Sequence, residues 1–323
     1  MLKVEDLTRS YGDFKAVDGV SFEIQRGEVV GLLGHNGAGK TTIMKALTGF
    51  LEPSAGRITI EGYDLATQRR AAQRLIGYLP ENCPVYPDMT VIDFLEYQAG
   101  MHGIPEEQRL AAVRHAIAHT ELEAKAADLI GTLSRGYRQR VGVAQAILHT
   151  PSVLILDEPT NGLDPTQIQH MRSLIRKLAL NAIVLLSTHI LHEVEAMCDR
   201  VLIIRNGKLA LDARLGDLNT TQHLVVDADA EPEKIRSLIK DIHGIRGIRS
   251  LPGASDGRHQ YAMETADPVA MAPLVAQVVL GGGHKLYRLQ PERRDLETIF
   301  GEINDPLAMV ALNNDPTKEA VHA

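Results

Sequence analysis

From Met1 to about Leu211, short apolar runs alternate with longer stretches of helical periodicity. Val29-Val30-Gly31-Leu32-Leu33 reads as a buried strand, followed by glycine-rich sequence and a helix carrying Ile43, Met44, Ala46 and Leu47. Residues 152–156 and 182–186 are two further apolar runs of strand length, with a helical pattern over 166–180 between them. Strand and helix in alternation predict an α/β domain with a mainly parallel sheet. Residues 2–7, 20–24 and 56–60 instead alternate apolar with polar positions, which suits half-buried strands of an antiparallel β subdomain. A continuous helical pattern over about 93–127 predicts a helical subdomain, reaching to about 150.

Near Leu218 the texture changes. Residues 223–228, 245–251, 258–264 and 284–289 read as strands, while 233–242 and 269–280 have helical periodicity. The order β-α-β-β-α-β predicts a small C-terminal α+β domain of ferredoxin-like type. Leu296, Ile299 and Phe300 form an apolar helical stripe after its last strand. The expected organisation is a domain over 1–217, an accessory domain over 218–304 and a polar, flexible tail over 305–323.

Composition narrows the classes. The hydrophobic fraction of 44% supports a real core, and a formal charge of -7 argues against a nucleic-acid partner, which favours a basic face. Two cysteines, Cys83 and Cys198, are too few for a disulfide framework and point to a reducing cytoplasm. The best apolar runs fall far short of the roughly 18 residues that a membrane span needs, so none is expected.

Gly34-His35-Asn36-Gly37-Ala38-Gly39-Lys40-Thr41 fits G-x-x-x-x-G-K-[ST] between a predicted strand and helix, the context that gives this pattern its meaning. Glycines let backbone N–H groups wrap phosphate oxygens, and the following helix turns its positive end towards them. Gly34, Asn36, Gly37, Ala38, Gly39, Lys40, Thr41 and Thr42 form the expected phosphate-binding set. In it Lys40 neutralises β- and γ-phosphate charge and Thr41 ligates Mg²⁺. Residues 152–158 form an apolar strand ending in Asp157 and Glu158. Asp157 is placed to hold Mg²⁺ through water, and Glu158 to polarise an attacking water at the γ-phosphate.

These two motifs define a P-loop NTPase. Leu133-Ser134-Arg135-Gly136-Tyr137-Arg138-Gln139-Arg140 narrows it, because this stretch resembles the LSGGQ signature of ATP-binding cassette (ABC) transporter subunits. The resemblance covers about residues 2–211 and includes, in family order, Tyr11, Gly77-Tyr78-Leu79-Pro80-Glu81, Asn161-Gly162-Leu163-Asp164 and Ser187-Thr188-His189. The signature variant and the GYLPE stretch look most like ABC-2-type exporters, including gliding-motility-associated ATPases.

The resemblance implies a cytoplasmic ATPase at the inner face of the plasma membrane. It would bind ATP and Mg²⁺, form an ATP-sandwich dimer with a second copy, and drive a separate transmembrane permease subunit. It implies that Tyr11 stacks on adenine, and that Ser134 and Gly136 reach the γ-phosphate of ATP held by the other copy. It implies that Asp164 lies in a loop communicating between sites, and that His189 contacts the γ-phosphate and orients the Glu158 water. The apolar stretch 84–89, with Phe94, Leu95, Tyr97 and Met101, is either ordinary core or the exposed groove that receives a permease helix.

Two departures from the family pattern bear on the site. Glu81 stands where glutamine is usual; a carboxylate only accepts hydrogen bonds, though it can still hold Mg²⁺ through water. Arg135 replaces the first signature glycine and either adds charge near the opposing phosphate or faces solvent. His115 and His119 share a helix face without a third ligand, which reads as an exposed surface. The alternative is a soluble, non-transport ABC ATPase. Chromosome and repair members carry long coiled-coil insertions, and no heptads appear between Lys40 and Ser134. Translation factors normally fuse two cassettes, and only one set of motifs is present.

Overall fold

The computed structural model describes residues 1–218, 222–240, 242–251, 257–292 and 296–304. The described chain divides into two compact units, residues 1–215 with 303–304, and 216–302. The expected tail, 305–323, lies outside the described residues.

In the first unit, β1 (Leu2–Tyr11) and β2 (Phe14–Ile24) form a hairpin, and β3 (Val29–Leu33) leads into α1 (Lys40–Leu47). Then follow β4 (Ala55–Ile60), β5 (Tyr63–Asp64), the short α2 (Arg69–Gln73) and β6 (Ile76–Leu79). Three helices come next, α3 (Val91–Met101), α4 (Glu106–His119) and α5 (Arg135–Ile147). The helical pattern read as continuous is broken after Met101, where Gly103 takes a left-handed φ of 75° ahead of Pro105. The chain returns through β7 (Val153–Asp157), α6 (Pro165–Ala179), β8 (Ile183–Ser187), α7 (Leu191–Met197), β9 (Arg200–Arg205) and β10 (Lys208–Arg214); the short α8 (Leu215–Leu218) spans the boundary between the units.

Two sheets result. An antiparallel sheet runs β2-β1-β4-β5, and a six-stranded sheet runs β10-β9-β3-β8-β7-β6. In the second, β9, β3, β8, β7 and β6 are parallel and only β10 is antiparallel. Every residue of β3, β7 and β8 is buried, which explains why these strands read as unbroken apolar runs. Ile43, Met44 and Leu47 of α1 share one core with Val30, Leu32, Ile155 and Leu185 from these strands. Each such fully buried side chain contributes about 1.5–3 kcal/mol. The β9–β10 hairpin closes through Asn206 and Gly207 at φ 49° and 76°, the two-residue turn that matches strand twist.

The second unit contains β11 (His223–Ala228), α9 (Pro232–Ile239), β12 (Ile245–Leu251), β13 (His259–Thr265), α10 (Pro268–Gly281) and β14 (Leu286–Pro291). Its antiparallel sheet has the order β12-β13-β11-β14, the interleaved arrangement of a ferredoxin-like β-α-β-β-α-β unit. Leu224, Val226 and Ala228 point one way at period two, with Tyr261 and Met263 from β13. Ile235, Ile239, Val275 and Val279, each helix contributing an i, i+4 pair, cover that face. The last helix, α11 (Leu296–Asn304), buries Leu296 and Ile299.

Candidate nucleotide site

The loop after β3 is shaped by glycines that tolerate no replacement. Gly34 has φ 157°, and a methyl group there would collide with the Ile204 carbonyl. Gly39 has φ 113°, and a methyl group there would stand 2.5 Å from the Ala16 carbonyl oxygen. Gly39 caps α1 without a side-chain hydrogen bond, so the first-turn N–H groups have no acceptor within the helix. Loop and helix end together form an anion cradle. Lys40 is buried, and its Nζ donates to the carbonyl oxygens of Gly34 at 2.6 Å and His35 at 3.2 Å. Burial lowers its pKa, while the charges of Glu158 and Asp157 oppose that shift. Ala38 is buried, Thr42 half-buried, and Asn36, Gly37 and Thr41 are exposed.

Asp157 is buried at the end of β7, directly opposite Ser187 at the end of β8. The Ser187 hydroxyl donates to Asp157 Oδ1 and accepts the backbone N–H of Glu158 at 3.2 Å. Ser187 thus holds the Asp157 carboxylate and the Glu158 backbone in place, a role not read from the sequence. Glu158 takes a left-handed φ of 50°. For a non-glycine residue this is an uncommon conformation that costs on the order of 1–3 kcal/mol and is concentrated at functional sites. His189 Nδ1 lies 3.1 Å from both carboxylate oxygens of Glu158. Burial raises the Glu158 pKa above its ordinary value; the His189 hydrogen bond and charge, then Lys40, pull it back. Just beyond, the buried Thr160 hydroxyl donates to the buried Glu193 carboxylate, tying the segment after Glu158 to α7. Glu193 carried no sequence signal beyond being an acid on an amphipathic helix.

The remaining residues are spread around this centre. Leu79 pairs in register with Leu156, so exposed Glu81 follows the end of the strand beside Asp157. Thr41 hydroxyl and Asp157 carboxylate are oxygen donors of the kind Mg²⁺ prefers, so the donor set fits that ion. Ser134 is the N-cap of α5, accepting the Tyr137 N–H at 3.4 Å, and Gly136 is buried. Arg135 is exposed. Tyr11 is half exposed at the β1–β2 hairpin, with the Arg9 guanidinium carbon 4.7 Å from its ring centre. Tyr11 also lines a cavity of about 730 Å³ with Lys45, Phe50, Tyr78, Pro84 and His102. Of the apolar stretch read as core or groove, Phe94 and Leu95 are core, while Tyr86, Tyr97 and Met101 are exposed. His119 Nδ1 contacts the His115 carbonyl on its own helix at 3.0 Å.

A phosphate cradle, a buried lysine and two consecutive acids at the end of the parallel strand β7 define a P-loop ATPase. Residues 17–161 match the model of the family described as ABC transporter. The chain is 37% identical over 241 residues to an uncharacterized ABC transporter ATP-binding protein, YdbJ, of Bacillus subtilis, covering 74% of this chain and 77% of that one. It is 40% identical over 211 residues to the bacitracin transport ATP-binding protein BcrA of Bacillus licheniformis, covering 65% and 68% respectively. A solved ATP-binding subunit of an ABC transporter superposes with a TM-score of 0.61 at 34% identity, over 68% of this chain and 91% of that one. The chain belongs to the ABC transporter family and is an ATP-binding, ATP-hydrolysing subunit of a transport complex. No helix among the described residues is long and apolar enough to cross a membrane.

A half-buried carboxylate whose pKa is raised by burial, if it serves as the base, sets a pH requirement. Glu158 accepts a proton only when ionised, so turnover should fall on acidification through a pKa above 4.5. His189 favours the ionised form, so His189→Gln should move this acid limb to still higher pH in the residual activity. A kcat–pH profile with its limb at or below the ordinary carboxylate value, or unmoved by the substitution, would contradict the assignment.

Proposed function

We propose that this chain is the Mg²⁺-dependent ATPase of an ABC-2-type exporter, working as a pair of copies beneath a separate permease subunit on the cytoplasmic face of the plasma membrane. The observation that carries the reading is the meeting of Lys40, Asp157, Glu158, Ser187 and His189 at the ends of β3, β7 and β8. Relatives named for bacitracin transport, linearmycin resistance and Nod factor export support an export role. Mg²⁺, held by Thr41 and, through water, by Asp157 and Glu81, would neutralise phosphate charge. Lys40 and the N–H groups of residues 34–42 bind and orient the phosphates, and Tyr11 offers its ring to adenine. Glu158 takes the proton of a water, with His189 fixing the carboxylate that receives it. Ser134 and Gly136 complete the site of the other copy, so ATP holds the two copies together and its hydrolysis releases them. The ferredoxin-like unit contains none of these residues and serves regulation or pairing.

The exposed Tyr86, Tyr97 and Met101 supply the permease contact. Tyr86 packs edge-on against both Phe94 and Tyr97, at 5.9 and 6.0 Å between ring centres, so the patch is anchored on core and open on its outer side. Its apolar surface matches the apolar side of an inserted helix.

Two measurements test this reading. Glu158→Gln should retain Mg²⁺-ATP binding while turnover falls by roughly 10²-fold or more, the size of a lost general base; undiminished turnover would remove Glu158 from that role. Tyr97→Glu with Met101→Glu should leave the purified chain's own ATPase intact and abolish its co-purification with the permease from membranes. Retention of the complex would move the docking site elsewhere.

A further inference from the structure

We propose that Arg135 is a positioning residue that locks the signature helix to the loop behind Glu158. The surface offered to the ATP of one site would then move together with the base of the other. This rests on the two-copy reading above and extends it to a residue that departs from the family pattern.

Arg135 is the first residue of α5, directly after the Ser134 cap. A cation there opposes the helix dipole, so helix stability gives no reason for it. No carboxylate among the described residues forms an ion pair with it. Its guanidinium lies against Gly162, so closely that a methyl group on Gly162 would collide with the guanidinium carbon and nitrogens. Gly162 sits at φ 72°, where a side chain is also strained.

The loop bearing Gly162 is tied to Glu158 by consecutive turns. Asn161 N–H donates to the Glu158 carbonyl at 3.1 Å, and Leu163 N–H to that of Thr160 at 3.2 Å. It then enters α6 through a capping box. Asp164 Oδ1 accepts the Gln167 N–H at 2.9 Å, and Gln167 Oε1 accepts the Asp164 N–H at 3.3 Å. Gln167 in turn abuts Gly136, where a methyl group would stand 2.6 Å from its side-chain carbonyl carbon. The N-terminus of α5 therefore touches this segment twice, at Gly136–Gln167 and at Arg135–Gly162. The first contact needs only a glycine on α5. The second needs the flat guanidinium, which a lysine ammonium does not reproduce. Arg135 thereby connects the end of α5 to the segment 158–162, whose other end is Glu158.

The test is a double-mutant cycle in the full chain, following kcat and KM for ATP. Arg135→Ala should lower kcat by roughly 3- to 30-fold, the range for coupling residues that touch no ligand, with KM little changed. Gly162→Ala should also lower kcat, and adding Arg135→Ala to it should cost nothing more, because the contact is already broken. Arg135→Lys should behave as Arg135→Ala. Full turnover in Arg135→Lys would show that charge alone suffices, and a raised KM with kcat intact would show a direct hold on ATP; either overturns the proposal. Equal losses from Arg135→Ala in both backgrounds overturn it as well. Ser134→Arg separates the two levels. It should abolish turnover if the signature completes the partner's site; if it does not, the two-copy reading fails, whatever Arg135 does.

Discussion

The desolvation of three adjacent strands governs this structure. β3, β7 and β8 are buried along their entire length, so no charged group can sit within them without a large penalty. Polar chemistry is confined to where those strands stop. Because the three are parallel, they stop at one edge, and the phosphate loop, Asp157 and Ser187 are delivered there together. The fold thus concentrates opposite charges at a boundary that is part protein and part solvent. Lys40 is discouraged from holding its charge by burial and encouraged by the two acids, while Glu158 is held less acidic than an exposed glutamate.

That edge combines rigid and adjustable parts. Asp157 is fixed by strand pairing and by Ser187. Glu158, one residue later, has already left the strand in a left-handed conformation and is restrained through its backbone by Ser187 and its carboxylate by His189. The segment that follows is pinned through Thr160 and Glu193 and then capped by Asp164. Glu158 is thereby linked, contact by contact, to α6 and the neighbouring end of α5. This is a property of hydrogen bonds and close glycine contacts rather than of any hydrophobic core.

What could be read from the sequence follows from what periodicity encodes. Unbroken apolar runs at 29–33 and 152–156 announce buried parallel strands, and the glycine pattern around Lys40 announces a phosphate loop. The Asn206-Gly207 hairpin went unread in the sequence, and its signal is in any case local and says nothing about β9 lying beside β3. The roles of Ser187 and Glu193 were not legible, since each depends on a strand or helix end brought alongside from some 30 residues away. The stretch 84–101 was ambiguous for a related reason. Helical periodicity marks Phe94, Leu95, Tyr97 and Met101 as apolar, but which face is core depends on neighbouring elements, and they cover Phe94 and Leu95 only. The sequence offers Arg135 either a phosphate or solvent; the contact with Gly162 depends on side-chain reach across two elements.

The central claim is that one chain carries an incomplete site which a second copy completes around ATP. The mass of the Glu158→Gln chain in solution, measured by light scattering with and without saturating Mg²⁺-ATP, addresses it most directly. This variant should bind nucleotide without consuming it, so a monomer without ATP should become a dimer with it, and the added substitution Ser134→Arg should return it to monomer. A Glu158→Gln chain that stays monomeric with ATP bound, both alone and with its permease, would contradict the account.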